Sequence, residues 1–271
     1  MNPIIFSIGN FELRWYSLLM LIAVVTCLYL IKKEANRFNV KSEFIFNMCF
    51  WAIIFGFICA RLYYVIFNWN YYSKNVAEIL QIWKGGLAIH GGLIGGLLTI
   101  FFYTKRYGAR TIRFTDFICV PLLLGQAIGR WGNFFNSEAH GAATTLEHLQ
   151  SLHLPSFIIK GMKIDGIYYT PTFLYESIAC LILFIAFLII RRGPYRKVGT
   201  MTALYLVGYG TIRFFIETSR TDALMLAGFK VAQIVSITMI VIGIIMLMIN
   251  KRKSKFEDLY NDSNNMDKIK Y

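Results

Sequence analysis

The chain has 271 residues, 56% of them hydrophobic, with 28 Lys and Arg against 15 Asp and Glu for a formal net charge of +13. A soluble domain of this length does not need that apolar share, and the apolar residues fall into runs of the roughly 20 residues that cross a bilayer's hydrocarbon layer. The positive charge flanks those runs, so membrane topology accounts for it and nucleic acid is not an expected partner.

The first run covers 13–31. It has no basic leader ahead of a short apolar core with a small-residue cleavage site, so it is expected to stay as a helix rather than be removed. Tyr16 lies at its start, where interfacial tyrosines are common. Lys32, Lys33, Arg37 and Lys41 follow it. The second run, 44–67, carries Arg61 near its end. The connection 68–84 is rich in Asn, Tyr and Trp, which suits a segment at the headgroup level.

The third run, 87–104, opens on His90-Gly91-Gly92 and continues with Gly95 and Gly96. These are small-xxx-small steps, which let helices approach closely or leave room for a lipid chain. A lone histidine beside glycines is more often a structural hydrogen-bonding residue than a catalyst. The imidazole nevertheless suits proton transfer near neutral pH. Lys105, Arg106, Arg110 and Arg113 come next.

The fourth run, 114–128, is short and spans a membrane only if the helix continues through Gly129-Arg130-Trp131-Gly132-Asn133-Phe134-Phe135-Asn136-Ser137-Glu138. That polar cluster is the densest signal in the chain. A charge near lipid costs roughly 2.5–3.5 kcal/mol at a helix centre and so has a partner or a task. Arg130 and Asn133 are three apart and share one face of a continuing helix. An arginine that merely snorkels would pair with Glu138. The loop 131–171 is the longest connection and the candidate for a small external head; within 160–169, Asp165-Gly166 reads as a hairpin turn.

The fifth run, 172–190, is followed by Arg191, Arg192, Arg196 and Lys197. The sixth, 198–216, ends in the stripe Tyr209, Arg213, Glu217 and Arg220, spaced along one helical face. Arg213 and Glu217 can neutralise each other at i, i+4. The seventh, 229–250, is followed by Lys251, Arg252, Lys253 and Lys255 and a charged tail expected to fray.

The basic connections alternate, and positive charge marks the cytoplasmic side. The expected fold is an all-α membrane protein: a bundle of seven transmembrane helices with a small extracytoplasmic head at about 132–171. The transmembrane domain is 1–250, with the N-terminus outside, and 251–271 is a cytoplasmic tail. The five cysteines lie within the apolar runs and read as small buried residues, not disulfides or metal ligands. No metal-ligand spacing occurs, and no cofactor is expected.

Arg61, Arg130, Arg213 and Arg220 are placed by this topology near the outer leaflet, with too few acidic residues nearby to cancel them. Guanidinium forks bind phosphate oxygens, so an anionic phospholipid headgroup is the expected ligand. A transporter would call for discontinuous helices and internal repeats, which are not visible. A membrane peptidase would need paired aspartates, and only Asp116 lies within a run. A lipid-binding protein without turnover stays open on these grounds.

The segment from Gly129 to Glu138, followed by Gly141, resembles the signature G-R-x-G-N-F-x-N-x-E-x-x-G of the bacterial prolipoprotein diacylglyceryl transferases. Gly85 to Gly92 is similar to that family's histidine-glycine-glycine segment, Arg14-Trp15-Tyr16 to its aromatic start, and Arg213 to Asp222 to its sixth-helix end. One segment departs: where the family often has H-P-[ST]-Q-L-Y-E, this chain reads Thr170-Pro171-Thr172-Phe173-Leu174-Tyr175-Glu176. The resemblance covers nearly the whole chain.

It implies a transferase of the bacterial cytoplasmic membrane, with its active site on the extracytoplasmic side. The enzyme moves a diacylglyceryl group from phosphatidylglycerol to the lipobox cysteine of a preprolipoprotein signal peptide, forming a thioether and releasing glycerol phosphate. The acceptor thiol then belongs to the substrate. The resemblance assigns His90 as candidate base, helped by Tyr16 or Glu217, and Arg130 and Arg213 as stabilisers of the leaving phosphate. Asn133 and Glu138 would then orient those arginines or the headgroup, with Gly141, Arg61 and Arg220 also expected at the phosphatidylglycerol site.

Overall fold

The computed structural model describes every residue except 1, 10, 83–84, 221–224, 227 and 263–268. Asp222, and the last two residues of the connection 68–84, lie outside the described residues. The long helices are α1 (Trp15–Asn36), α2 (Ser42–Phe67), α4 (Ile89–Arg106), α5 (Thr111–Phe135), α8 (Thr172–Ile190), α9 (Thr200–Thr218) and α10 (Val231–Arg252). Short helices α3 (Trp69–Tyr72), α6 (Leu146–Ser151) and α7 (Ser156–Gly161) fill the connections, with a 3-10 turn at Val76–Leu80.

Five helices, α1, α2, α5, α8 and α10, are long and apolar enough to cross a membrane. The protein is a mostly helical membrane protein. α4 and α9 have 18 and 19 residues but carry glycines and charged groups that dilute their apolarity.

Small sheets modify the all-α expectation. β1 (Ile4–Ile8) and β2 (Phe11–Arg14) pair as a hairpin ahead of α1. β3 (Ala143–Thr144), β4 (Lys163–Ile164) and β5 (Ile167–Tyr169) form a three-stranded sheet in the order β3-β5-β4. β6 (Met225–Leu226) and β7 (Phe229–Lys230) pair before α10. The expected turn at Asp165-Gly166 is present, both residues having positive φ (49° and 86°) as a tight two-residue hairpin requires.

The chain forms two compact units. One holds Met1–Leu30 and Thr115–Asn261; the other holds Ile31–Phe114 and Asp262–Tyr271.

In the first unit, Cys119, Val120, Leu123 and Ala127 of α5 pack with Cys180 and Phe187 of α8 and Met201 and Tyr205 of α9. Asp116 of α5 caps the start of α9. Its carboxylate accepts hydrogen bonds from the backbone of Gly199 (2.6 Å) and Thr202 (2.7 Å) and from the Thr202 hydroxyl (2.7 Å). A buried carboxylate is tolerated there because helix N-termini offer unpaired N–H groups and positive potential. α9 and α10 touch through Gly243, where a Cβ would meet the Ala203 carbonyl at 2.7 Å. The connection from α5 to α8 has its own core of Phe134, Leu149, Ile158, Met162 and Phe173.

The expectation of a frayed tail is corrected. Lys197 donates to the carbonyls of Ser254, Lys255 (2.9 Å) and Glu257 (2.5 Å). Asn261 donates to Arg191 O and Gly193 O, and Tyr260 is fully buried. Tail carbonyls neutralise a lysine that would otherwise be buried alone.

In the second unit, α2 and α4 pack closely, and a Cβ on Gly95 would lie 2.6 Å from the Cys59 Cβ. Tyr271 joins this unit's aromatic group, 5.4 Å from Phe44 and 5.2 Å from Tyr107.

Candidate functional site

α5 does continue through the glycine-arginine segment, ending at Phe135. Gly132 allows the Tyr16 ring to lie on the α5 backbone, since a Cβ there would sit 2.9 Å from Tyr16 Cδ2. Trp15 stacks on Phe135 at 4.9 Å. These contacts fix the turn that carries Arg130 and Asn133.

Arg130 Nη1 donates to Asn133 Oδ1 (3.2 Å), one helical turn on. Its Nη2 donates to Glu176 Oε1 at 2.7 Å, from α8. The snorkelling alternative, an Arg130–Glu138 pair, is corrected: Glu138 instead accepts from Asn133 Nδ2 at 2.9 Å, and so reaches Arg130 through an amide. Glu176 is 1% exposed. It also accepts from the Tyr209 hydroxyl (3.2 Å) and pairs with Arg213 Nη1 (3.4 Å), both on α9. Arg213 Nη2 in turn meets Glu217 at 2.7 Å. The polar atoms form one chain: Glu138, Asn133, Arg130, Glu176, Arg213, Glu217.

Two guanidiniums from different helices therefore share one buried carboxylate. The shared carboxylate explains how two cations can sit together away from bulk water, since buried charges need partners. Arg130 and Arg213 are balanced by Glu176 and Glu217. The Arg130 and Arg213 side chains remain 19% and 17% exposed, so each keeps an open edge.

Glu176 was missed as a site residue. The signal was present: an acidic residue inside an apolar run, the same criterion that marks Arg130. Tyr209 is held by stacking on Tyr205 (5.6 Å), whose hydroxyl accepts from Gln126. Lys230 was also missed. Its amine donates to the carbonyls of Glu217 (2.7 Å), Thr218 (3.2 Å) and Arg220 (2.9 Å), a cation on the carbonyl end of α9.

The departing segment is accounted for by packing. Where the family often has histidine and glutamine, the Thr170 hydroxyl donates to Ala142 O (3.0 Å) and Phe173 stacks on Phe134 at 4.6 Å. Gly141 packs against Thr170. Its N–H donates to Thr170 O, and a Cβ would lie 2.9 Å from the Thr170 Cβ. The backbone of Arg220 forms a bridge with Gly141.

The second unit is described by itself. His90 is the second residue of α4, half-buried, with its ring centroid 6.2 Å from that of Tyr63. Arg61 is buried near the end of α2. Its guanidinium donates to the carbonyls of Glu78 (2.7 Å), Ile79 (2.9 Å), Gly85 (2.7 Å) and Gly86 (2.9 Å). It also lies over the Tyr72 ring at 5.2 Å. Four of its five donors are thus spent on backbone. Tyr71, in the same connection, donates to Glu78 at 2.8 Å, and that carboxylate holds the phenol above its ordinary range. Among the described residues, no group of three His, Cys, Asp or Glu could hold a metal ion.

A sequence model of the family "Prolipoprotein diacylglyceryl transferase" matches residues 3–249. Curated proteins similar to the chain include three named phosphatidylglycerol–prolipoprotein diacylglyceryl transferase. The one from Listeria monocytogenes is 45% identical over 93% of this chain and 91% of its own length. The one from Staphylococcus saprophyticus is 42% identical over 93% and 90%. The one from Bacillus velezensis is 42% identical over 97% of each.

Proposed function

The chain belongs to the prolipoprotein diacylglyceryl transferase family, and on that premise we propose that Arg130 and Arg213, bridged by Glu176, are where it grips the phosphate of its lipid donor. As a member it is a membrane transferase that moves diacylglyceryl from phosphatidylglycerol to prolipoprotein. In the step we propose, the acceptor thiol sulfur bonds to the glyceryl carbon that carries the phosphate. The carbon–oxygen bond breaks, its electron pair stays on the phosphate oxygen, and glycerol phosphate leaves. The thiol proton passes to a base.

Negative charge grows on the leaving phosphate, and preorganised cations are worth several kcal/mol in a water-poor site. Glu176 and Glu217 hold the guanidiniums in place before substrate arrives, so little reorganisation is needed on binding. Asn133 and Glu138 orient Arg130, Tyr16 packs on Gly132 two residues beyond Arg130, and Arg220 follows Glu217 by three residues. A free thiol is only a few per cent ionised at neutral pH, so the base matters. His90 is assigned that role on its chemistry.

Seven crossings follow if α4 and α9 span beside the five more apolar helices. Their lower apolarity is supported by the polar groups they carry. Alternating basic connections then put the C-terminus inside and the arginine cluster on the extracytoplasmic side of the bacterial cell membrane.

The observation that carries this reading is Glu176, 1% exposed, held between arginines of two helices. The test is Arg130→Lys, which keeps the charge but loses the fork that serves Asn133 and Glu176 together. Transfer to a lipobox peptide should fall about 100-fold, the typical cost of a small misplacement, while membrane accumulation is unchanged. Turnover within threefold of the parent protein would remove the phosphate role.

A further inference from the structure

The second unit carries a groove of about 420 Å³ between α2 and α4, lined by none of the residues assigned above to the transfer step. Its floor is Cys59 and Gly95, and its walls are Trp51, Phe55, Leu98 and Phe102. Gly95 makes the floor, because a side chain there would collide with Cys59 and with the Phe55 carbonyl at 2.7 Å. The walls are exposed: Trp51 is 44% accessible and Phe102 65%. Such a surface is stable only against hydrocarbon.

One end of the groove is polar. Arg106, in the last turn of α4, lines it there together with Tyr103. Tyr103 is braced from behind by Tyr107, at 5.0 Å. Among the described residues no carboxylate pairs with Arg106.

The dimensions name an occupant. Gly95 to Arg106 is 11 residues, about 16 Å along a helix at 1.5 Å per residue. Half of a hydrocarbon layer about 30 Å thick is about 15 Å. A chain anchored at Arg106 reaches the bilayer midplane where the floor glycine lies. His90 is 16 residues before Arg106, about 24 Å away along the same helix, and five before Gly95, about 7.5 Å, so the polar end of the groove lies away from His90.

We propose that this groove is a binding site for one anionic glycerophospholipid, with an acyl chain between Trp51 and Phe102 and its phosphate on Arg106. It is a resident lipid rather than the donor substrate. The inference rests on the reading of α4 as a membrane crossing proposed above, and not on the arginine cluster.

Trp51 supplies the reporter. Full-length protein is placed in phosphatidylcholine nanodiscs containing a fixed fraction of either brominated phosphatidic acid or brominated phosphatidylcholine. The Trp51 signal is the difference between the protein and its Trp51→Phe variant. Quenching of that signal by the anionic lipid should correspond to about fivefold tighter occupancy, the worth of one surface cation facing an anionic lipid. Arg106→Gln should make the two lipids equal, and Thr99→Phe, which fills the groove, should reduce quenching by both. Equal quenching of the parent protein by both lipids would overturn the proposal, as would a preference that survives Arg106→Gln. Transferase activity is measured on each variant as the control for folding. Activity retained with lipid selectivity absent overturns the groove site and leaves the arginine cluster untouched.

Discussion

Replacing Glu176 by Gln removes one charge and almost no volume. Two guanidiniums lose their shared anion. Arg213 keeps Glu217 at 2.7 Å, but Arg130 keeps the Asn133 amide oxygen at 3.2 Å and, at position 176, an uncharged amide oxygen in place of the carboxylate. Removing one partner of a fully buried pair costs about 3–5 kcal/mol. Because Arg130 is 19% exposed and water screens it, about 2–3 kcal/mol is the better figure, similar to one charge-assisted hydrogen bond. Expressed in the transition state, that is about 30- to 150-fold in rate at 1.36 kcal/mol per decade. The direction of the binding effect is opposite. The cluster of Arg130, Arg213, Glu176 and Glu217 goes from formally neutral to one net positive charge, so attraction for an anionic headgroup does not fall. The expected result is a kcat reduced about 100-fold with an equal or lower KM for phosphatidylglycerol. Initial rates of diacylglyceryl transfer to a lipobox peptide, at several lipid fractions in nanodiscs, separate the two. A variant with normal kcat and a raised KM would refute the placement of Glu176 as the device that orients the arginines.

Three further substitutions probe other parts. His90→Ala should lower the rate of transfer and alter its dependence on pH; a full rate with an unmoved profile would take His90 out of the reaction. Arg61→Gln should cost about 2–4 kcal/mol of stability, through bonds to four carbonyls, while the KM for phosphatidylglycerol stays put. A lowered unfolding midpoint with a normal KM supports the loop-anchor role, and a raised KM at normal stability contradicts it. Asp116→Ala should cost about 1–2 kcal/mol as a lost helix cap, read as a lower midpoint in thermal unfolding; no change would mean that the cap is not used.

The sequence located the long helices to within a few residues because a membrane span is written in some twenty consecutive apolar side chains. It also indicated the continuation of α5, since Arg130 and Asn133 share a face only in a helix. What it did not reveal was pairing. Glu138 is nearest to Arg130 along the chain, but Glu176, 46 residues away, takes the charge. Arg61 reads as a free cation because its partners are backbone carbonyls, and every residue has one. The tail reads as frayed because its charges mask Tyr260, and only the fold shows what Lys197 would lack without it. The β1–β2 hairpin is hidden because its apolar residues run straight into the first helix.

The cap on α9 also sets a level. Asp116 holds Gly199, and from there each helix climbs fourteen residues, to Arg130 on one and Arg213 on the other. At 1.5 Å per residue both ascents are about 21 Å. The two cations thus stand abreast because their helices start from a common datum at the far end. A lengthened or shortened turn anywhere on either ladder would leave one guanidinium a step above its twin, with neither of them touched.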